Sequence, residues 1–194
     1  MSINLHAGDC RDVLASLPDA SVDAVVTDPP YELGFMGKKW DGTGIAYDVA
    51  MWAEVLRVLK PGGHLLSFGG TRTWHRMACA VEDAGFEMRD SIAWLFGSGF
   101  PKSLDVGKAI DKAAGAEREV VGIAKGAGSQ NTASLGPYAP LYDATAPATP
   151  DAAKWDGWGT ALKPAHEPIV VARKPFPTTV AANVVEHGTG ALNI

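Results

Sequence analysis

The stretch that decides the fold is Val22-Asp23-Ala24-Val25-Val26-Thr27-Asp28-Pro29-Pro30-Tyr31, in which a mostly apolar run is followed by two prolines. A run of this kind is typical of a buried parallel strand. The prolines must end it, because proline donates no backbone hydrogen bond. Ligands bind beyond the carboxyl ends of strands in open α/β sheets. The sequence therefore predicts a strand with a functional loop, Asp28 to Tyr31, at its tip.

Strands and helices alternate around this stretch. Short apolar runs predict five strands, namely Ile3 to His6, Val22 to Val26, His64 to Phe68, Ser91 to Phe96 and Pro168 to Ala172. Helical spacing predicts helices from Cys10 to Pro18, Ala46 to Lys60, a third capped by Thr71 and ending at Gly85, and Ser103 to Ala114. The alternation predicts a doubly wound α/β fold with a parallel sheet and right-handed crossovers.

The regular alternation stops near Gly97. Residues 97–165 read as an insertion before the last strand, and Gly126 to Pro150 is rich in small residues and proline, which is typical of a long mobile loop. The tail to Ile194 shows no strong period. We interpret residues 1–194 as a single domain that carries this insertion.

Composition excludes several classes of protein. With 194 residues, 46% of them hydrophobic, the chain can bury one core, and it has no apolar run of the about 18 residues that span a bilayer. It begins without the features of a signal peptide. We therefore expect a cytoplasmic protein with no membrane partner. Cys10 and Cys79 match no complete zinc pattern, so we expect buried thiols and no metal.

The net charge of −5 argues against a protein that coats nucleic acid. A DNA contact would need a local basic patch, and two stretches offer one. These are Lys38-Lys39-Trp40 and Arg72 with Arg76, although basic pairs are also common on ordinary solvated surfaces.

The loop Asp28 to Tyr31 suits a reaction at an aromatic amino group. Such a nitrogen is a poor nucleophile, because its lone pair is delocalised into the ring. A carboxylate and a carbonyl that accept its two N–H bonds would hold it near tetrahedral geometry and favour its developing positive charge. Asp28 and the Pro29 carbonyl fit these roles, Pro30 stiffens the loop, and Tyr31 can stack on an extracted base. The alternative is a rigid turn without chemistry.

A family resemblance rests on motifs spread along most of the chain. They are Gly8-Asp9-Cys10, Leu17-Pro18-Asp19, Ser21-Val22-Asp23, Thr27 to Tyr31, Leu59 to Gly63, Phe68 to Thr73, Trp94 to Lys102 and Lys163 to Ile169. Together they resemble permuted, beta-group DNA N6-adenine or N4-cytosine methyltransferases, which are common in phages and restriction-modification systems. The Asp-Pro-Pro-Tyr element is the most specific part.

The resemblance implies a Rossmann-like methyltransferase sheet, double-stranded DNA as the partner and S-adenosyl-L-methionine as the cofactor. It implies that Asp28 to Tyr31 hold a flipped base, adenine more often than cytosine, and that residues 97–165 recognise the target. Asp9, with Cys10, is expected near the cofactor adenine, although Asp9 can equally cap a helix. Phe68 and Gly69 are expected at the edge of the cofactor or base pocket, next to Asp28.

One family motif is not found in the sequence. The family carries a late Asp-Pro-Phe followed by a Gly-Ser-Gly-Thr-Thr cofactor loop, and Phe96 to Gly99 is a poor substitute because no Asp-Pro precedes it. By analogy the chain supplies strands 3 to 7 of the usual seven. It would then be a fragment, or a short homologue that completes itself as a homodimer or through a complementing chain that carries the loop. The alternatives to an enzyme half are a catalytically inactive DNA- or partner-binding subunit and a methyltransferase of protein or RNA.

Overall fold

The computed structural model describes residues 3–34, 39–97, 103–125, 141–162 and 164–193. It divides the chain into two compact units. The first unit is Met1–Trp94 with Glu167–Ile194, and the second is Leu95–His166. The second unit nearly coincides with the predicted insertion, whose role in target recognition stays a prediction.

The strands are, in chain order, β1 (Val22–Thr27), β2 (Leu59–Phe68), β3 (Glu87–Leu95), β4 (Val120–Lys125), β5 (Leu141–Thr145) and β6 (His166–Arg173). The α-helices are α1 (Cys10–Ser16), α2 (Val49–Val58), α3 (Trp74–Asp83), α4 (Val106–Ala113), α5 (Pro150–Lys154) and α6 (Val180–His187). The predicted α/β class is thus confirmed. No described helix is long and apolar enough to cross a membrane.

The main sheet has four strands in the order β1-β2-β6-β3. Strands β1 and β2 are parallel, with Val25 opposite Leu65, whereas β6 runs antiparallel to β2, with Val171 opposite Leu66. The prediction of an all-parallel sheet is therefore wrong for β6. An apolar run does not encode the direction of a strand. The prediction that β1 is buried is also wrong, because no residue of β1 is buried, Val26 is 69% exposed, and β1 has only one neighbour in the described sheet.

The five-strand prediction is also wrong at its first member. Residues 3–7 form no strand, and the side chains of Ile3 and Leu5 are 83% and 91% exposed. A strand needs hydrogen bonds to a neighbour, and among the described residues β1 pairs only with β2. The number of strands in the described sheet is therefore four where the resemblance implied five.

The core of the first unit lies where α2 and α3 cover the sheet. Trp52 is 1% exposed and packs with Leu65, Val81 and Val170 in one apolar cluster. Helix α2 begins where the Asp48 side chain accepts a hydrogen bond from the backbone N–H of Ala50 at 2.9 Å. The prediction of buried thiols is wrong, because Cys10 of α1 and Cys79 of α3 are both exposed.

Pro61-Gly62-Gly63, which the sequence analysis left between the helix ending at Lys60 and the strand beginning at His64, is part of β2 itself. Gly62 has φ of 78°, and a Cβ there would lie 2.9 Å from the Cα of Gly190. Asn183 of α6 donates a hydrogen bond from Nδ2 to the Pro61 carbonyl at 2.9 Å. Helix α6, which the sequence did not predict, is held against this irregular part of the strand.

We expect Gly62→Ala to destabilise the chain by about 1–3 kcal/mol, because the methyl group meets backbone and the φ angle disfavours an L side chain. The measurement is urea denaturation. Gly42→Ala is the matched control, since a Cβ there meets nothing within 4 Å and its φ is not positive. Equal stability of the two variants would contradict the packing described for Gly62.

The second unit contains an antiparallel hairpin of β4 and β5 together with α4 and α5. Asp111 of α4 is fully buried, and its carboxylate accepts hydrogen bonds from Arg118 Nη1 and Thr149 Oγ1, each at 2.8 Å. Strand β5 and the start of α5 fall within residues 126–150, so the prediction of an unbroken mobile loop is wrong there. Residues 126–140 of that predicted loop lie outside the described residues.

Candidate active site

The loop Asp28 to Tyr31 leaves the sheet at the carboxyl end of β1. The last residue of that strand, Thr27, lies opposite Ser67 of β2. The loop is fixed by Thr73, whose Oγ1 donates a hydrogen bond to the Tyr31 carbonyl at 2.8 Å. Thr73, and not the predicted Thr71, occupies the cap position of α3, and its hydroxyl bonds the loop instead of the helix. The turn before α3 therefore positions Tyr31.

Tyr31 packs closely against Gly70 of this turn. A Cβ on Gly70 would lie 3.2 Å from Cδ2 of the Tyr31 ring.

The loop residue after Tyr31, Glu32, has φ of 55°, which is unusual for a residue other than glycine. Such a conformation costs about 1–3 kcal/mol and persists only where the surroundings impose it, often at functional sites. The backbone after Tyr31 is held in a defined and strained shape.

A cleft of about 520 Å³ opens beside this loop. Its volume lies in the range of small-molecule sites, about 300–1,000 Å³. It lies entirely within the first unit. The lining residues are Asp28, Pro29, Pro30, Tyr31, Leu33, Trp40, Asp41 and Glu167. The cleft thus combines two aromatic rings with three carboxylates.

The surroundings of Tyr31 in the cleft raise the pKa of its phenol. Burial raises the pKa of its phenol, a hydrogen bond to Asp28 and the charge of that carboxylate raise it further, and Glu167 adds a smaller contribution. At neutral pH the phenol is therefore a hydrogen-bond donor. Three carboxylates around one cleft accept hydrogen bonds from amino groups and favour cations.

The predicted pocket-edge residues Phe68 and Gly69 lie close to the loop. They line a second, small cavity together with Pro30, Tyr31 and Trp74. Its volume of about 10 Å³ has room for about one water molecule. The Gly69 backbone N–H donates to the Pro168 carbonyl at 3.0 Å, which ties the end of β2 to the start of β6.

Asp9 and Cys10 are not among the residues that line either cavity. Asp9 caps α1 by accepting a hydrogen bond from the Arg11 N–H at 2.9 Å, and its carboxylate pairs with the Arg11 guanidinium at 2.6 Å. The Arg11 side-chain hydrogen bond is the main cause that lowers the pKa of Asp9 to about 2. The structure gives Asp9 its alternative role as a cap, and a cofactor contact by Asp9 or Cys10 stays a prediction.

Of the predicted nucleic-acid contacts that the structure describes, Trp40 lines the cleft and Arg72 does not. Trp40 lines the cleft with its side chain 58% exposed. Arg72 is exposed in the turn that precedes α3 and does not line the cleft. Lys38 lies outside the described residues, and Lys39 is described only by its backbone at the start of a short 3₁₀ helix, Lys39–Gly42.

Two carboxylates in the cleft, Asp41 and Glu167, were not predicted as site residues. Glu167 lies at the start of β6, and the antiparallel direction of that strand brings its start to the edge where β1 and β2 end. A parallel strand would have placed it at the opposite edge. The only sequence signal was its position beside Pro168 within the motif Lys163 to Ile169. Asp41 has no distinctive sequence signal.

The relatives and solved structures that match this chain include methylases and methyltransferases. The type II methyltransferase M.HindIII of Haemophilus influenzae is 28% identical over 149 residues, covering 75% of this chain and 38% of that protein. A protein named as a putative methylase, YubD of Escherichia coli K12, is 38% identical over 87 residues, which cover 42% of this chain and 37% of that protein. The solved structure of TTHA0409 from Thermus thermophilus, complexed with S-adenosyl-L-methionine, has 24% identity and a TM-score of 0.48, covering 90% of this chain and 54% of that one. The chain spans well under half the length of the two curated relatives.

A family model described as DNA methylase, for N6 and N4 methyltransferases, matches residues 22–192. The match begins with β1 and includes the loop Asp28 to Tyr31, the whole cleft and Glu167. It confirms the resemblance drawn from the sequence motifs. The chain therefore belongs to the DNA methylase family of N6 and N4 amino-methyltransferases.

Proposed function

We propose that this chain carries the target-base site of an S-adenosyl-L-methionine-dependent DNA methyltransferase that acts on adenine N6. The observation that carries the proposal is the cleft at the tip of β1. It brings Asp28, Pro29 and Tyr31 together with Trp40 around one cleft of about 520 Å³. A flipped base is read by stacking and by hydrogen bonds to its edge.

Asp28 and Pro29 would hold the amino group, and Tyr31 and Trp40 would hold the ring of the base. Asp28 accepts one N–H bond and the Pro29 carbonyl accepts the other, so the nitrogen moves toward tetrahedral geometry. The negative charge of Asp28 favours the positive charge that develops on nitrogen. Tyr31 and Trp40 offer flat faces on which the base stacks, and Thr73 keeps the Tyr31 backbone in place.

The charges of the cleft suit the cofactor, whereas the small cavity beside Phe68 is too small for the nucleoside part of the cofactor. S-adenosyl-L-methionine, when bound, supplies an electrophilic methyl group on a sulfonium cation. The carboxylates of Asp28, Asp41 and Glu167 favour a cation, and Phe68 and Gly69 border the apolar side next to Pro30. The small cavity beside Phe68 does not admit a nucleoside as it stands. We assign Phe68, Gly69 and Asp28 to the cofactor side, with Asp9 and Cys10 as weaker candidates.

Double-stranded DNA is the proposed partner. Lys38, Lys39 and Arg72 would contact phosphates near the cleft, and residues 97–165 would recognise the target sequence. We propose a further segment or a complementing chain as the source of the Gly-Ser-Gly-Thr-Thr loop, which these 194 residues do not contain, and, separately, a homodimer. Each of these roles is testable by substitution or by addition in trans.

The direct test is transfer of tritiated methyl groups from S-adenosyl-L-methionine to mixed-sequence DNA. The chain is assayed alone and with an added segment that carries the late cofactor motifs. Digestion of the product to nucleosides should give N6-methyladenine. Label in N4-methylcytosine would correct the target base, and no label in either assay would contradict the proposed function.

A second candidate function is a binding module that holds DNA or a methyltransferase subunit without transferring methyl. The same assay separates the two functions. Retention of DNA in a gel-shift experiment with no methyl incorporation under any condition would support the binding module.

Tyr31→Ala should weaken base extrusion, whereas Tyr31→Phe should retain it, because stacking needs a ring and is worth about 1–3 kcal/mol per base. The measurement is fluorescence of 2-aminopurine placed at the target position, which rises when the base leaves the stack. Trp94→Ala, on β3 and outside the cleft lining, is the control for loss of an exposed aromatic ring. Equal signals from the parent and Tyr31→Ala would contradict the stacking role.

A further inference from the structure

We infer that Glu167 is a positioning residue: it accepts the hydrogen bond of the Tyr31 hydroxyl when a target base arrives and so frees the Asp28 carboxylate for the base's amino group. This inference rests on the proposed function, since an amino group must enter the cleft. Glu167 acts through Tyr31 and does not itself hold the base.

The placement of Glu167 follows from the pairing of β6 with β2. Ile169 lies opposite Phe68, and the Pro168 carbonyl accepts a hydrogen bond from the Gly69 N–H at 3.0 Å. Glu167 precedes these two residues, so it lies just beyond the carboxyl end of β2. From there its side chain lines the same cleft as Asp28 and Tyr31.

The Tyr31 hydroxyl has one proton and two carboxylates that can accept it. Both act on the phenol and raise its pKa, Asp28 more strongly than Glu167. We take Asp28 as the acceptor in the free protein, because it acts on the phenol more strongly and all three residues line one cleft. The Tyr31 backbone is fixed by Thr73, so a change of acceptor would be made by the side chain alone.

An arriving amino group competes with the phenol for Asp28. A hydrogen bond from Tyr31 occupies one acceptor position of the Asp28 carboxylate and lowers the negative charge available to a second donor. Asp28 then forms a weaker hydrogen bond with the amino group. Tyr31 is half-buried, and a hydroxyl that leaves its acceptor loses a favourable hydrogen bond unless another acceptor is within reach. Glu167 supplies the other acceptor. In a Tyr31→Phe protein there is no hydroxyl, so Glu167 should have no effect on transfer.

The first test uses the 194-residue chain and does not depend on activity. Tyrosine is labelled with ¹³C at Cζ, the Tyr31 signal is assigned with Tyr31→Phe, and its ionisation is followed by NMR toward alkaline pH. Glu167→Gln should let Tyr31 ionise at lower pH than in the parent, and Asp28→Asn should shift it further. The matched control is Glu82→Gln, an exposed residue of α3. An unchanged Tyr31 titration in Glu167→Gln would overturn the inference.

The second test is a double-mutant cycle in protein that transfers methyl groups. Glu167→Leu removes the acceptor and should slow single-turnover transfer by about tenfold, the scale of one hydrogen bond to a charged group. Glu167→Gln, which keeps a weaker acceptor, should lose less. In the Tyr31→Phe background Glu167→Leu should change the rate by less than about twofold.

The outcomes separate the inference from the proposed function. The same loss in both backgrounds would mean that Glu167 acts independently of the Tyr31 hydroxyl, and it would overturn the inference. Failure of the parent to transfer any methyl group would count against the proposed function instead. In that case the tyrosine titration alone decides whether Glu167 bonds to Tyr31.

Discussion

Asp28→Ala is expected to slow methyl transfer by at least about a hundredfold, the loss that follows removal of one preorganised electrostatic partner. Alanine cannot accept the amino N–H bond, and it removes the charge that favours the cationic nitrogen. The structure places Asp28 directly after β1 on the wall of the cleft. Single-turnover transfer of tritiated methyl to DNA, in the chain supplied with the late cofactor motifs, measures the effect.

The matched control is Asp23→Ala on the same strand. Its carboxylate is 73% exposed and pairs with Lys60 Nζ at 2.6 Å, away from the cleft lining. An exposed ion pair contributes little, about 0–1 kcal/mol, so transfer should remain near the parent rate. If Asp28→Ala stayed within about tenfold of the parent, the role assigned to this carboxylate would be wrong.

Trp52→Ala is expected to lower the free energy of unfolding by about 3–5 kcal/mol, the usual cost of removing a large aromatic side chain from a core. Trp52 is 1% exposed at the centre of the α2 packing, and its Nε1 donates to the Ala46 carbonyl at 3.0 Å. The substitution therefore removes apolar contacts and leaves a buried carbonyl without its partner.

Urea denaturation followed by circular dichroism measures this loss. Trp94→Ala is the control, because Trp94 is 60% exposed on the outer strand β3. Its removal should change the free energy of unfolding by about 0.5 kcal/mol or less. A Trp52→Ala protein as stable as Trp94→Ala would show that α2 does not form the core described here.

Local patterns predicted the elements of the first unit well. The apolar run Val22 to Val26 and the prolines after it predicted β1 and its loop, and helical spacing predicted α2 and α3 to within a few residues. These predictions succeeded because periodicity and proline chemistry act within a few residues of chain. Helix α6 was not predicted, although Thr179 and Gly188 cap its two ends. The residue that it buries is the polar Asn183, whereas its valines are exposed.

Predictions that depended on distant partners fared worse. Ile3 to His6 has the composition of a strand, yet it has no neighbour in the described sheet. Cys79 has an apolar setting in the sequence but falls on the exposed face of α3. Strand β5 pairs with β4 across a gap of fifteen residues that composition marks as a loop. In each case a long-range contact, or its absence, decided the outcome.

The sequence by itself determined the family, the strand-and-loop element at Asp28 to Tyr31 and the chemistry that such a loop suits, because these depend on residue type and local order. Only the tertiary structure decided what faces the loop. The antiparallel direction of β6 brings Glu167 to the cleft, the turn before α3 brings Thr73 to Tyr31, and the fold places Trp40 on the wall of the same cleft. A strand's direction and neighbours are set by hydrogen bonds to chain that is remote in sequence, and no local pattern encodes them.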